Sequence, residues 1–172
     1  MTPLNTAQAA AHMPEAAPYK KPRAGDRMTA SELVLQVLED MGIDTVFGYP
    51  GGAILPFYDA LGKRASQTPL NHILVAQEPG AGHMAQGYAR STGKIGVAIA
   101  TSGPGATNLM TPIADAKADS VPMLVITGQV PTALIGTDAF QEAPTVLMAT
   151  PITKHAVMVQ NADTLEQTLR EA

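Results

Sequence analysis

The chain has no cysteine and no tryptophan. Without cysteine it has no disulfide framework, no thiolate metal site and no sulfur nucleophile. Charge is scarce as well. Only 15% of residues are charged, and a surface that poor in charge often has part of its area covered by a partner. The net charge of −4, with no Lys/Arg cluster beyond the first 27 residues, leaves no electrostatic footprint for nucleic acid. The longest apolar runs fall far short of a membrane span, and the N-terminal stretch lacks the apolar centre of a secretory signal. These absences describe a soluble, intracellular chain, for which the cytoplasm is the expected location.

What is present is turn-rich and apolar. Fifteen glycines, 14 prolines and a 45% hydrophobic content suit many tight reversals and exclude a helical bundle. The 172 residues suggest one domain with a sizeable core. Met1 to Arg27 stand apart, being rich in Ala and Pro without hydrophobic periodicity, and are expected to form a disordered tail. That tail carries a net +2, leaving −6 for residues 28–172.

Ordered structure is expected from Thr29, which stands in capping-box spacing with Glu32 ahead of an apolar helical face, Leu33, Val34, Val37, Leu38 and Met41, closed by Gly42. Strands are expected at Thr45–Gly48, His72–Ala76, Ile95–Ala100, Met123–Thr127 and, later, Ile152–Val159. Helices are expected over Ala53–Leu61, from Pro79 to Gly93, from about Gly105 to Ala118 with a kink at Pro112, and from Asp163 onward. The Pro79–Gly93 helix is expected to bury Ala81, Met84, Ala85, Tyr88 and Ala89. Alternating strands and helices, with several strands apolar throughout, predict a three-layer α/β/α fold with a central, mainly parallel sheet. Ligands of such sheets collect at the carboxyl ends of the strands. The turns Gly48–Gly52 and Gly103–Gly105, together with Glu78, all fall at such ends.

On spacing alone the glycines have two readings, tight strand-to-helix reversals or backbone cradles for a phosphate; neither turn matches the P-loop or dinucleotide fingerprint. Glu78 also has two. It either complements the dipole of the helix it opens, or it is a partly desolvated carboxylate suited to sharing a proton. His72, His83 and His155 have no metal-ligand spacing and read as structural or surface residues, so no metal site is expected. Asp115 and Asp119, four apart on one helix, read as solvated.

Four runs carry a resemblance. They are Val46 to Ala53 (VFGYPGGA), Gly80 to Arg90 (GAGHMAQGYAR), Thr101 to Asn108 (TSGPGATN), and Gly128 to Pro131 with Ile135 to Glu142 (GQVP, IGTDAFQE), to which Pro151 to His155 adds. From about Met28 to Val159 the chain resembles the N-terminal, pyrimidine-binding domain of the acetolactate synthase large-subunit family. The third run recurs in many thiamine-diphosphate enzymes, and the fourth is more particular to acetolactate synthases. The resemblance implies the thiamine-diphosphate-binding fold over residues 28–172. It also implies that Glu78 holds the pyrimidine ring nitrogen of the cofactor and so favours the tautomer that activates it. Tyr49, Gly52, Pro104 and Asn108 would line the pyrimidine pocket, and Phe140 and Gln141 would approach the substrate channel and a flavin.

By the same resemblance, the complete enzyme decarboxylates pyruvate and joins the two-carbon unit to pyruvate or 2-oxobutyrate in branched-chain amino-acid biosynthesis. It uses Mg²⁺ and FAD, held mostly by a middle and a C-terminal domain. The Gly-Asp-Gly segment of that C-terminal domain does not occur in this sequence. The chain alone is therefore expected to bind the cofactor weakly and to be inactive. Its expected partners are further copies of itself, the missing domains and a regulatory small subunit. Two alternatives remain open. One is another thiamine-diphosphate enzyme of 2-oxoacids, such as a glyoxylate carboligase, decarboxylase or oxidase; the other is a non-catalytic interaction module. One departure stands out. The family usually has His-Glu-Gln at the carboxylate, preceded by a basic residue, whereas this chain reads Ala76-Gln77-Glu78-Pro79.

Overall fold

The computed structural model describes residues 27–65 and 68–172. The expected tail, apart from Arg27, lies outside the described residues. Helix α1, Ala30–Asp40, opens with the expected capping box, in which the Thr29 hydroxyl accepts from the Glu32 N–H and the Glu32 carboxylate accepts from the Thr29 N–H. Strand β1 is Thr45–Gly48 and β2 is Asn71–Leu74. Between them lie a 3-10 turn at Gly52–Ile54 and helix α2, Leu55–Arg64. Helix α3 covers Glu78–Thr92 and ends on Gly93, whose φ of 73° is the left-handed cap expected of a glycine there. Strand β3 is Gly96–Ala100, followed by the short α4, Pro104–Thr107, then α5, Met110–Ala118, and β4, Met123–Thr127. A short α6, Thr145–Ala149, and a last helix α7, Leu165–Glu171, complete the order.

The four strands form one parallel sheet in the order β2-β1-β3-β4. Its two faces are built differently. On one, α1 and α2 pack large side chains, among them Leu35, Leu38, Phe57 and Leu61, against Val46, Val97 and Ile99. Each fully buried Leu or Ile there contributes roughly 2 kcal/mol of transfer free energy. On the other face α3 packs the small Ala81 and Ala85 against Ala98 and Ala100 of β3, together with Leu109 and with Ile113 of α5. Smallness lets the backbones nearly touch. A Cβ at Gly96 would stand 2.0 Å from the Ala85 carbonyl oxygen, and one at Gly82 would stand 2.4 Å from the Pro112 ring.

Several expectations need correction. The helix expected to kink at Pro112 is interrupted earlier, at Asn108–Leu109, so Pro112 falls in the first turn of α5, where a missing N–H leaves no helical bond unmade. Ile152–Val159 is not a strand. It begins in a 3-10 turn, Thr150–Ile152, and then runs without ladder bonds, because no described strand lies beside it to pair with. Strand β4 is half-buried rather than buried, since it closes one edge of the sheet. Along α3, Met84 is exposed and Gln86 is buried in its stead, its amide donating to the Pro112 carbonyl at 2.7 Å. The last helix begins at Leu165 rather than at Asp163; ahead of it lies a 3-10 turn, Ala162–Thr164, capped by Asn161, whose side chain accepts from the Asp163 N–H.

Candidate functional site

All three sequence-predicted features lie at the carboxyl ends of adjacent strands, and one buried threonine ties two of them together. Beyond β1 the chain turns at Gly48, where a Cβ would stand 2.5 Å from the Tyr58 hydroxyl and 2.9 Å from the Ile99 carbonyl oxygen. The Tyr49 N–H donates to that same carbonyl at 3.3 Å. Thr101, at the end of β3, accepts from the Ala53 N–H at 3.2 Å. Its methyl side fills the space beside two glycines, because a Cβ at Gly51 or at Gly105 would come within 2.6 Å of it. Gly48, Gly51 and Gly105 are therefore demanded by sterics, as the tight-reversal reading requires, whereas a Cβ at Gly52 would meet nothing within 4 Å. Sequence reasoning passed over Thr101. The signal was a β-branched polar residue ending a strand otherwise made of apolar ones.

The third feature is Glu78, the first residue of α3. The Val75 N–H donates to the Gly48 carbonyl at 3.2 Å, which holds the end of β2 against the first turn. Asn108, just beyond α4, donates its side-chain amide to Glu78 Oε2 at 3.1 Å. Glu78 Oε1 stands 3.3 Å from the Cβ position of Gly105 and accepts no hydrogen bond from the described residues. One carboxylate oxygen is thus fixed and the other left open beside bare backbone. Such a group can accept from a donor brought by a ligand, or share a proton with it. The flanks give no help: Gln77 is exposed and caps α3 without a side-chain bond, and Pro79 has no N–H.

Of the other candidates, the structure brings Asn108 directly onto Glu78. Tyr49, 40% exposed, and the exposed Gly52 lie on the turn that Thr101 fastens, and Pro104 opens α4 at the surface. Phe140 is 88% exposed. Gln141 approaches the site through its backbone, since its carbonyl oxygen lies 2.5 Å from the Cβ position of Gly103. Gly103 has a φ of 53°, so both conformation and space require glycine there.

The remaining titratable groups sit elsewhere. His72 is half-buried, and burial lowers its pKa. His83 faces Asp115 at 4.0 Å on the surface of α3 and α5. Asp119 is not simply solvated, for it pairs with Arg90. Among the described residues no three His, Asp or Glu side chains cluster closely enough to hold a metal ion. None of the described helices is long and apolar enough to cross a membrane.

Residues 28–148 match the family described as thiamine pyrophosphate enzyme, N-terminal TPP binding domain. The chain is 56% identical over 149 residues to an acetolactate synthase large subunit of Corynebacterium glutamicum, covering 87% of this chain and 23% of that protein. It is 52% identical to the mitochondrial acetolactate synthase catalytic subunit of Saccharomyces cerevisiae, with 84% and 21% covered. It is also 52% identical to the acetolactate synthase isozyme 1 large subunit of Escherichia coli, with 85% and 25% covered. The chain spans about a quarter of the length of these curated relatives.

Proposed function

The chain belongs to the thiamine pyrophosphate enzyme N-terminal TPP-binding domain family, and on that premise we propose that residues 28–172 supply the pyrimidine-side half of the cofactor site in an acetolactate synthase catalytic subunit. The observation that carries this reading is the divided carboxylate of Glu78, with Oε2 held by Asn108 and Oε1 open beside Gly105. That donor set fits an aminopyrimidine ring. A protonated ring nitrogen is a donor and needs an acceptor oxygen, which Oε1 supplies. Bound thiamine diphosphate supplies the nucleophilic carbon that decarboxylation of a 2-oxoacid requires.

The chain's own residues do the rest of this half of the work. Glu78 holds a proton between Oε1 and the ring nitrogen. Asn108 fixes the rotamer of Glu78 so that Oε1, and not Oε2, faces the ring. Thr101 keeps the Gly48–Gly52 and Ser102–Gly105 turns in register, and the first of these carries Tyr49 and Gly52 to the pocket wall. Pro104 starts the helix that delivers Asn108. Phe140 and Gln141 line the approach for pyruvate and 2-oxobutyrate.

Mg²⁺ and FAD belong, in this reading, to the parts of the enzyme that correspond to the rest of the relatives' length, as does the grip on the diphosphate. The working unit is then an assembly of copies of this chain with those domains, joined by a regulatory small subunit, in the cytoplasm. The test is complementation. This chain is mixed with the remaining three quarters of the Corynebacterium relative, with thiamine diphosphate, Mg²⁺, FAD and pyruvate, and acetolactate is measured. Product is expected. Association of the two parts without product would overturn the catalytic reading and leave an interaction module.

A further inference from the structure

Between β4 and α6 the chain makes a loop that needs an internal brace. Three of the seven residues from Gly136 to Glu142 have left-handed backbone: Gly136 at φ 82°, Asp138 at 56° and Gln141 at 58°. Only the first is a glycine, and for Asp138 and Gln141 this conformation is unfavourable unless something holds it. The brace is Glu142. Its Oε1 accepts from the Gly136 N–H and its Oε2 accepts from the Ala139 N–H at 3.1 Å. The backbone N–H groups of Gly136, Ala139, Thr137 and Asp138 hold this carboxyl below the usual range, so it stays charged. The Glu142 N–H donates back to the Ala139 carbonyl at 2.9 Å, closing the loop on itself.

The braced loop does not end in solvent. Gln141 presses its backbone on Gly103, where a Cβ would stand 2.5 Å from the Gln141 carbonyl oxygen and 2.8 Å from its Cα. Gly103 caps α4, which carries Gly105 and delivers Asn108 to Glu78. A continuous line of contacts therefore runs from the Glu142 carboxylate through Gln141, Gly103 and Asn108 to Oε2 of Glu78. We infer that Glu142 is a positioning residue: it sets the 136–142 loop so that Gln141 seats on Gly103 and Phe140 is held exposed beside the pyrimidine-side pocket. This deepens the function proposed above and rests on it for the meaning of that pocket, but the brace itself stands on the chain's own geometry.

The experiment compares the chain with its Glu142→Ala, Glu142→Gln and Glu142→Asp variants, with Glu166→Ala as a control for removing a surface carboxylate. Two readouts need no activity: the rate of chymotrypsin cleavage after Phe140, and the amide resonances of Gly103 and Gly105. Glu142→Ala should be cut about tenfold faster, since cleavage follows the population of the opened loop. It should also move both glycine resonances while the global unfolding midpoint holds. Glu142→Gln keeps one acceptor oxygen but turns a donor toward an N–H, so it should fall between. In the complemented enzyme Glu142→Ala should raise KM for pyruvate and leave kcat within about twofold.

Cleavage and resonances unchanged from the control would overturn the brace. A loosened loop with unmoved Gly103 and Gly105 resonances, or with unchanged KM, would overturn the positioning role. If the wild-type chain yields no acetolactate in complementation, the proposed function fails, and the first two readouts still decide the brace.

Discussion

Two carboxylates stand at opposite ends of the same sheet and are treated in opposite ways. Asp44 lies just before β1, and both of its oxygens accept hydrogen bonds from within the chain. It accepts from the Lys94 ammonium, the Tyr88 hydroxyl and, at 2.9 Å, the Thr45 hydroxyl. These bonds hold its pKa at about 2, with Lys94 the largest cause. Glu78 lies just after β2 and has one bond, from Asn108, to one of its two oxygens. Asp44 clamps α3 and the following turn onto the sheet. Glu78 leaves Oε1 without a hydrogen-bond donor among the described residues, beside Gly105 and Thr101. Asp44 has both oxygens held in the fold, whereas Glu78, under the proposed function, keeps one for a ligand.

The largest effect expected in breaking this comparison comes from the backbone approach that seats the middle of α3 on the start of β3. Gly96→Val would drive a side chain into the Ala85 carbonyl and should destabilise the chain by about 3 kcal/mol, read as a lowered urea midpoint. Gly105→Val meets the Thr101 side chain and Glu78 rather than backbone. It should cost less stability, about 1–2 kcal/mol, yet remove acetolactate formation in complementation, because the space opposite Glu78 Oε1 is filled.

Acid sharpens the comparison next. The folded-state pKa of Asp44 is depressed, so its contribution is fully present above its ordinary value of 3.8 and is lost as pH falls toward about 2. Urea midpoints measured from pH 6 to pH 2 should fall over that window, and Asp44→Asn should flatten that limb. A limb unchanged by Asp44→Asn would show that other carboxylates carry the acid transition.

The smallest expected effect concerns the flanks of Glu78. Grafting Gln77→His with Pro79→Gln should raise the complemented rate a few-fold by adding polar support beside the carboxylate, roughly the worth of one further hydrogen bond. No change in rate would mean that Asn108 alone holds Glu78 well enough.

Much of the fold is legible in the amino-acid sequence alone. Alternation of strands with helices, continuous apolar runs and the Thr29–Glu32 box state local rules that the fold obeys. The site is legible only in part. Glu78 and the glycine turns can be placed at strand ends, but the reason for the crowded glycines, Gly48, Gly51, Gly103 and Gly105, is a neighbour distant in sequence or on another turn. Thr101 behind Gly51 and Gly105, Ala85 behind Gly96 and Gln141 on Gly103 are contacts that no periodicity encodes. The failure at Ile152–Val159 has the same origin. A strand is defined by its partner, and the apolar pattern of Ala156, Val157 and Val159 says nothing of whether one lies alongside.

The most direct test exchanges the roles of the two carboxylates in one assay: acetolactate formed per mole of folded chain in complementation, for the wild type, Glu78→Gln and Asp44→Asn. Glu78→Gln should lose at least about 100-fold in rate with its urea midpoint unchanged, whereas Asp44→Asn should keep the rate per folded molecule with a lowered midpoint. If Glu78→Gln retains the wild-type rate, or if the two variants lose rate in parallel with stability, the open oxygen of Glu78 is not the working group of this domain.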